Sequence, residues 1–491
     1  MPQVASIASA VLMGIEAIPV NITATVEPGI PSFTIVGAQG VLENDIKSMV
    51  RTAIRASGFE MPRSAVHVAV EPRASRLATS LELPMALAVL AASGQVDPKH
   101  FEDKLVVGSL GMSGLVGEVR GILSYMALAE ATDKVLVAPP QSFHRFCGIP
   151  AHDLASVGLH PHASIDLDVD YNPCFVPTEF DGLPLTKLAM MCAAVGRHPL
   201  LLADSGFVNA WSVAHGIRQI MPTLSEAEQY ETDTIHSVCG AVPTEGRPVR
   251  TPHCSITLAG MVGGGKPILP GEVSLAHKGV LLMDDVEEFG NSVISSLDIA
   301  VSDSQVCIVR SQELVTLPSE TAIVMSTQRH LATLPPAVTA LAEIVIDMAE
   351  DINCSNELSV LGDLTFMEMA DIVEAAIAFK TERVEYPNSI SRSARETLEE
   401  LCDDGDVISL DGQDLDKYKV LSVSRTLADI AQSQQVNEEH VRLAATLCGG
   451  RVLTHALSVD DKEPILFVDG CNYDEIVGPR LHERHPTFRR K

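Results

Sequence analysis

The segment GVLLMDDVEEFG (279–290) decides how the chain folds. Val280, Leu281, Leu282 and Met283 are consecutive apolar residues, as in a strand buried on both faces. Asp284 and Asp285 follow at its C-terminal end. Working outward, a helical pattern over 185–195 leads into a strand at 199–203, a loop and a helix at 211–221. Another apolar strand is expected at 321–325. Strand and helix recurring at this spacing predict an α/β core over 181–350.

The flanks differ from this core. Residues 1–166 alternate short strand patterns with amphipathic helices, an α+β signature. Strict alternation over 20–26, the turn residues Glu27-Pro28-Gly29 and an apolar return over 32–36 predict a hairpin. A helix over 42–56, a strand over 65–70 and a buried helix over 83–92 follow. A Gly-punctuated hairpin is expected over 105–119, then a helix from 122 and a strand over 134–138. Residues 167–180 (LDVDYNPCFVPTEF) hold no period and read as a linker. Helical patterns over 367–380, 394–401, 418–432 and 438–448 predict an all-α bundle over 351–456, followed by a tail over 457–491.

Three domains suit a chain of 491 residues. No run approaches the ~20 apolar residues of a membrane span. The first residues lack the basic start of a signal peptide, and the ten cysteines form no C-x-x-C pair. The expectation is a soluble, cytoplasmic protein with reduced thiols, no structural zinc and no membrane partner. A net charge of −29 repels polyanions at long range and so disfavours DNA. The basic cluster Arg480, Arg484, Arg489, Arg490 and Lys491 reads as a solvated tail.

Several segments together resemble the magnesium-chelatase-like AAA+ family, in its YifB/ComM group. They are GIPSFTIVG (29–37), SMVRTAIRASGFEMP (48–62), LELPMALAVLAASGQ (81–95), RPVRTPHCSITLAGMVGGGKPILPGEVSLAHKGVLLMDD (247–285) and SRTLADIAQSQQVNEEHV (424–441). The resemblance implies an α/β multidomain protein: a Lon-protease-like (ribosomal-S5-domain-2-like) α+β domain over 1–166, an AAA+ P-loop-type core over 181–350 and a C-terminal helical lid over 351–456. It also implies ATP and Mg²⁺ as cofactors, and a hexameric ring that grips DNA in processing and branch migration.

The family's chemistry does not carry over intact. A phosphate-binding loop needs G-x-x-x-x-G-K-[ST]: glycines let backbone N–H groups close on phosphate, Lys supplies charge, and the hydroxyl holds Mg²⁺. In ADSGFVNAW (203–211), Ala210 takes the Lys place, Trp211 takes the hydroxyl place, and Asp204 adds negative charge; Gly206 and Asn209 complete a degenerate nucleotide site. Asp284 matches the metal-orienting carboxylate. Asp285 stands where the family has the Glu that polarises water, one methylene too short. The arginine that reaches a neighbouring subunit is replaced by Ile344, the sensor Asn by Gln328, and the lid arginine falls near Leu415; Arg425 persists in the lid motif.

Four parts of one machine have changed together, which points to lost ATP hydrolysis. The leading expectation is a non-catalytic assembly or binding component, joined to itself or to an active paralogue. The rivals are an active ATPase with a divergent loop (a DNA translocase or remodeller) and an acidic scaffold for a basic protein partner. Peptidase chemistry is disfavoured, because Ser80 lies at the family's serine place but Leu123 occupies the Lys place; Ser80 is expected to cap the helix near Leu83 instead. His253 and Cys254 are too few ligands for a metal. Gly263-Gly264-Gly265-Lys266 is expected to be a flexible insert, with Lys266 the residue there to watch for DNA contact.

Overall fold

A computed structural model describes residues 3–36, 43–72, 79–140, 145–159, 164–167, 183–203, 209–243, 245–310, 313–348, 351, 359–383, 390–404, 407–410 and 413–449. Residues 168–180 of the expected linker, the tail, Asp204 and Gly206 lie outside them, while Leu167, expected to begin the linker, pairs with Phe146 in a strand.

The N-terminal region begins with β1 (Gln3–Met13), β2 (Glu16–Glu27), β3 (Ser32–Val36) and β4 (Ala65–Glu71), ordered β1-β2-β4-β3. Val20, Ile22 and Ala24 of β2 and Val66, Val68 and Val70 of β4 point to one face, as a period of two requires. There they pack on the helices Glu43–Ala56 and Glu82–Ala92. The hairpin expected over 20–36 is corrected. β2 turns back on β1 through Gly14, whose φ of +63° suits a tight turn, and β3 pairs in parallel with β4. The helix between β3 and β4 supplies the crossover that a parallel pair needs.

A second sheet has the order β10-β9-β8-β5, from β5 (Lys104–Val106), β8 (Val135–Ala138), β9 (Phe146–Pro150) and β10 (Ile165–Leu167). The hairpin expected over 105–119 shrinks to the ribbon β6 (Ser109–Leu110) and β7 (Val116–Gly117), because β5 pairs in parallel with β8.

The core is a five-stranded sheet of β11 (Leu200–Ala203), β12 (Val249–Arg250), β15 (Val280–Met283), β18 (Ala322–Thr327) and β19 (Ile344–Asp347), ordered β12-β15-β18-β11-β19 with every pair parallel. Leu200, Leu202, Val280, Leu282 and Val324 face one layer, while Leu201, Leu281, Met283, Ile323 and Met325 face the other. Burial on both faces explains the uninterrupted apolar runs. Two antiparallel ribbons extend the core: β13 (Gly263–Gly264) with β14 (Leu269–Pro270), and β16 (Gln305–Arg310) with β17 (Glu313–Pro318). The first corrects the flexible insert, since Gly263 and Gly264 are paired strand residues and Lys266 sits exposed between the ribbon's strands.

Close backbone approaches join the N-terminal region to the core. A Cβ on Gly14 would overlap Val315, the Gly121 N–H donates to Ser237 O at 2.9 Å, and the Tyr230 hydroxyl donates to Leu123 O at 3.0 Å.

The C-terminal region is not all-α. Beside the helices Phe366–Glu382, Arg392–Leu401, Lys417–Ile430 and Glu438–Gly449 it holds a three-stranded antiparallel sheet, β20 (Cys402–Asp404), β21 (Val407–Leu410) and β22 (Gln413–Asp416). The sequence signal is the Val-Ile pair at 407–408 followed by Asp411-Gly412, a dipeptide favoured between hairpin strands.

Candidate nucleotide site

At the C-terminal end of β15 the chain leaves a fully buried strand, so its next two residues emerge at a fixed place. Asp284 and Asp285 are both exposed there. Asp285 adopts φ +49° and ψ +57°, left-handed values that Asp tolerates better than bulkier residues, and buried Val286 anchors the far side of the turn. Ser326 near the end of β18 ties the turn down: its hydroxyl donates to the Asp284 carboxylate and accepts the Asp285 N–H at 3.3 Å.

A partial loss of hydration at the turn, then the Asp284, Glu287 and Glu288 charges, push the Asp285 carboxyl above the usual range, while Arg329 pulls it back. Arg329 reaches Glu287 at 3.2 Å and Glu288 at 2.6 Å. Ser326 and Arg329 escaped the sequence reading; the only signal for Ser326 is a hydroxyl residue near the end of an otherwise apolar strand. Gln328, read there as the sensor, lies beyond the end of β18 and is exposed.

On the facing side, the helix Ala210–Ile220 begins where phosphates would meet backbone N–H groups. Asn209 caps it, its side-chain oxygen accepting the Trp211 N–H at 2.9 Å. Ala210 is buried, and the Trp211 ring lies 4.2 Å from that of His215 at a 52° tilt. The residues at this helix end do not fit a triphosphate: one donor is already bonded within the chain, and neither an ammonium nor a hydroxyl is offered at the next two positions. Among the described residues no group of three or more His, Cys, Asp or Glu side chains could hold a metal ion.

The other positions disperse. Ile344 is the first residue of β19 and fully buried, so it faces the core and no neighbour. Leu415 lies in β22, opposite Ile408. Arg425 spends its guanidinium on Asp429 at 3.0 Å, Ser433 O at 2.6 Å and Gln434 O at 3.1 Å. Its helix meets the N-terminal end of β11, where Thr426 bonds His198 at 2.7 Å, whereas Asp284 stands at the C-terminal ends of the strands. Arg425 and Asp284 therefore do not form one site.

In the N-terminal region Ser80 is buried and not the expected cap, because the helix Glu82–Ala92 is preceded by Leu81 in a 3₁₀ turn and carries no side-chain cap. The phenol beside Ser80, Tyr125, is pushed up to about 12 by burial, and Leu123 is buried, so neither supplies a base near neutral pH. His253 bonds Ser255 at 2.9 Å, with the Cys254 sulfur 3.8 Å away, on an accessible loop.

Two family models match the sequence: "Magnesium chelatase, subunit ChlI" over residues 178–332 and "Subunit ChlI of Mg-chelatase" over residues 22–142. The uncharacterized protein YifB of Escherichia coli is 28% identical over 334 residues, covering 64% of this chain and 65% of that protein. YifB of Salmonella typhimurium is 28% identical over 335 residues, covering 62% and 64%. The chain thus spans slightly less than two thirds of these two relatives. The competence protein ComM of Haemophilus influenzae is 24% identical over 482 residues, covering 87% of this chain and 94% of its own. Among solved structures, a full-length MCM homolog from Methanopyrus kandleri aligns with a TM-score of 0.34 at 13% identity, covering 56% of this chain and 55% of its own.

Proposed function

Because the chain belongs to the magnesium-chelatase-like YifB/ComM family, we propose that it is a member that has lost ATP hydrolysis and acts as a non-catalytic assembly or binding component related to DNA processing. The observation that carries this reading is the helix Ala210–Ile220, whose first turn is capped by Asn209 and offers Ala210 and Trp211 in place of Lys and Ser or Thr. A charge-assisted hydrogen bond contributes roughly 1.5–3 kcal/mol, and this site forgoes the lysine's.

In this reading residues 1–166 form the Lon-like domain, 181–350 the AAA+ core and 351–456 a mainly helical C-terminal domain that also carries the sheet β20-β21-β22. The working form is a homo-oligomer of ring type or a joint assembly with an active paralogue, in the cytoplasm. Family membership argues for nucleotide and Mg²⁺ sites in general; this chain's own residues argue against their use. The name of ComM ties that relative to competence, and we extend a DNA-related role here by kinship.

One observation favours a second reading, an ATPase with a divergent loop: Ser326 still holds the Asp284–Asp285 turn in order. Phosphate release from ATP, measured with and without DNA, separates the two. Turnover no faster than buffer in both conditions supports the leading reading. Turnover abolished by Asp284→Ala would establish the second.

A further inference from the structure

From the joint between the central sheet and the C-terminal helices, we infer that the described residues of the central sheet and of the helices Pro184–Gly196, Phe366–Glu382, Lys417–Ile430 and Glu438–Gly449 form one rigid cooperative unit, and that these C-terminal helices do not swing as a lid. His198, at the N-terminal end of β11, fastens the joint. It is buried, its Nδ1 lies 2.5 Å from the Glu343 carboxylate just before β19, and its Nε2 lies 2.7 Å from the Thr426 hydroxyl on the helix Lys417–Ile430. Gly196 makes room for this contact, since a Cβ there would overlap both His198 Nε2 and Thr426 Oγ1. One side chain thus holds two strands' approaches and a C-terminal helix together.

Three lysines repeat the arrangement. Buried Lys187 of the helix Pro184–Gly196 donates to Gly362 O at 2.6 Å and Leu364 O at 2.7 Å. Lys380 donates back to Val195 O at 3.0 Å, and Lys419 donates to Thr339, Ala340 and Ala342 carbonyls at 3.1, 2.5 and 2.7 Å. Each ammonium satisfies carbonyls on the other side of the joint, near helix ends where such groups lack partners. In the opposite sense, Asp351 accepts the Leu185 and Thr186 N–H groups at 2.9 Å each and the Thr186 hydroxyl at 2.6 Å.

Apolar packing crosses the same line. Leu188, Met190 and Leu202 of the core share one cluster with Phe366, Val423 and Leu427. Gly216 admits the Phe366 ring, for a Cβ there would lie 2.5 Å from Met190 Cε and 3.1 Å from Phe366 Cζ. A hinged lid would have to expose this surface and strip every one of these bonds. With Arg425 committed to its own helix and turn, it has nothing to pull toward the nucleotide side.

Native-state hydrogen exchange on the full chain without nucleotide tests the inference, and so fails or succeeds independently of whether ATP binds. The helices Phe366–Glu382, Lys417–Ile430 and Glu438–Gly449 should be protected to within about tenfold of β11 and β18. His198→Ala should lower protection on both sides of the joint by the same factor. C-terminal helices exchanging roughly a hundredfold faster than β11 and β18, or loosened alone by His198→Ala, would overturn it. Should that variant fail to fold, the wild-type profile decides.

Discussion

The two ends of the central sheet have diverged. At the N-terminal end, His198, Glu343, Thr426, Lys380 and the Arg383–Asp429–Arg425 network leave few charges without a partner. At the C-terminal end, where open α/β sheets bind ligands, Asp284, Asp285, Glu287 and Glu288 crowd together with Arg329 as partial compensation. A working nucleotide site keeps the second end costly to alter. Here the partnered, buried charges lie at the first end and the exposed, crowded ones at the second, which teaches that the two ends carry different shares of the fold's stability.

Substitutions at the two ends should therefore differ in cost. The largest effect is expected from Asp429→Ala, which leaves Arg383 and Arg425 without their carboxylate, Arg383 being only 7% exposed. Breaking such a pair costs about 3–5 kcal/mol, read as a lowered denaturation midpoint with an unchanged slope.

Next comes a pH effect at the same end. Burial, with the nearby Arg425, depresses the His440 pKa from 6.5 to about 4. Over that window the unfolded chain binds a proton that the folded chain refuses, so stability is lost as pH falls from 6.5 toward 4 and no further below. The loss is on the order of 3 kcal/mol, and His440→Gln should remove that portion of the acid slope in urea titrations at stepped pH.

At the C-terminal end the effects shrink. Asn209→Ala should cost about 1 kcal/mol through the lost helix cap, seen as a small fall in melting temperature. Asp284→Asn should lie within roughly 0.5 kcal/mol of wild type, because the group is exposed and its removal relieves like charges. A cost there matching that of Asp429→Ala would erase the contrast between the ends.

How much of this was legible follows from the kind of signal. Three of the five central strands, β11, β15 and β18, are legible within a residue or two because burial on both faces leaves short apolar runs bounded by turn residues, whereas β12 and β19 carry too short or too mixed a pattern to stand out. That Ala210 and Trp211 stand at the start of a helix was legible from the strand before them and the Asn209 cap, and their side chains offer neither an ammonium nor a hydroxyl. Strand partners were not legible: β3 looks like the return of a hairpin from β2, and only the parallel pairing with β4 tells otherwise. The C-terminal sheet was hidden by helical patterns on both sides of short strands. Arg425 was misplaced because a motif gives spacing along the chain, not the end of the sheet its helix meets. Ser326 and His198, the two side chains that fix the two ends, carry no motif at all and emerge only from contacts across 42 and 228 residues.

The most direct test of the central claim is calorimetric titration of the full chain with ATP and Mg²⁺, on wild type and on Asp284→Ala. The account predicts no heat of binding for either. Saturable binding to the wild type that disappears with Asp284→Ala would contradict it and restore a nucleotide-driven machine.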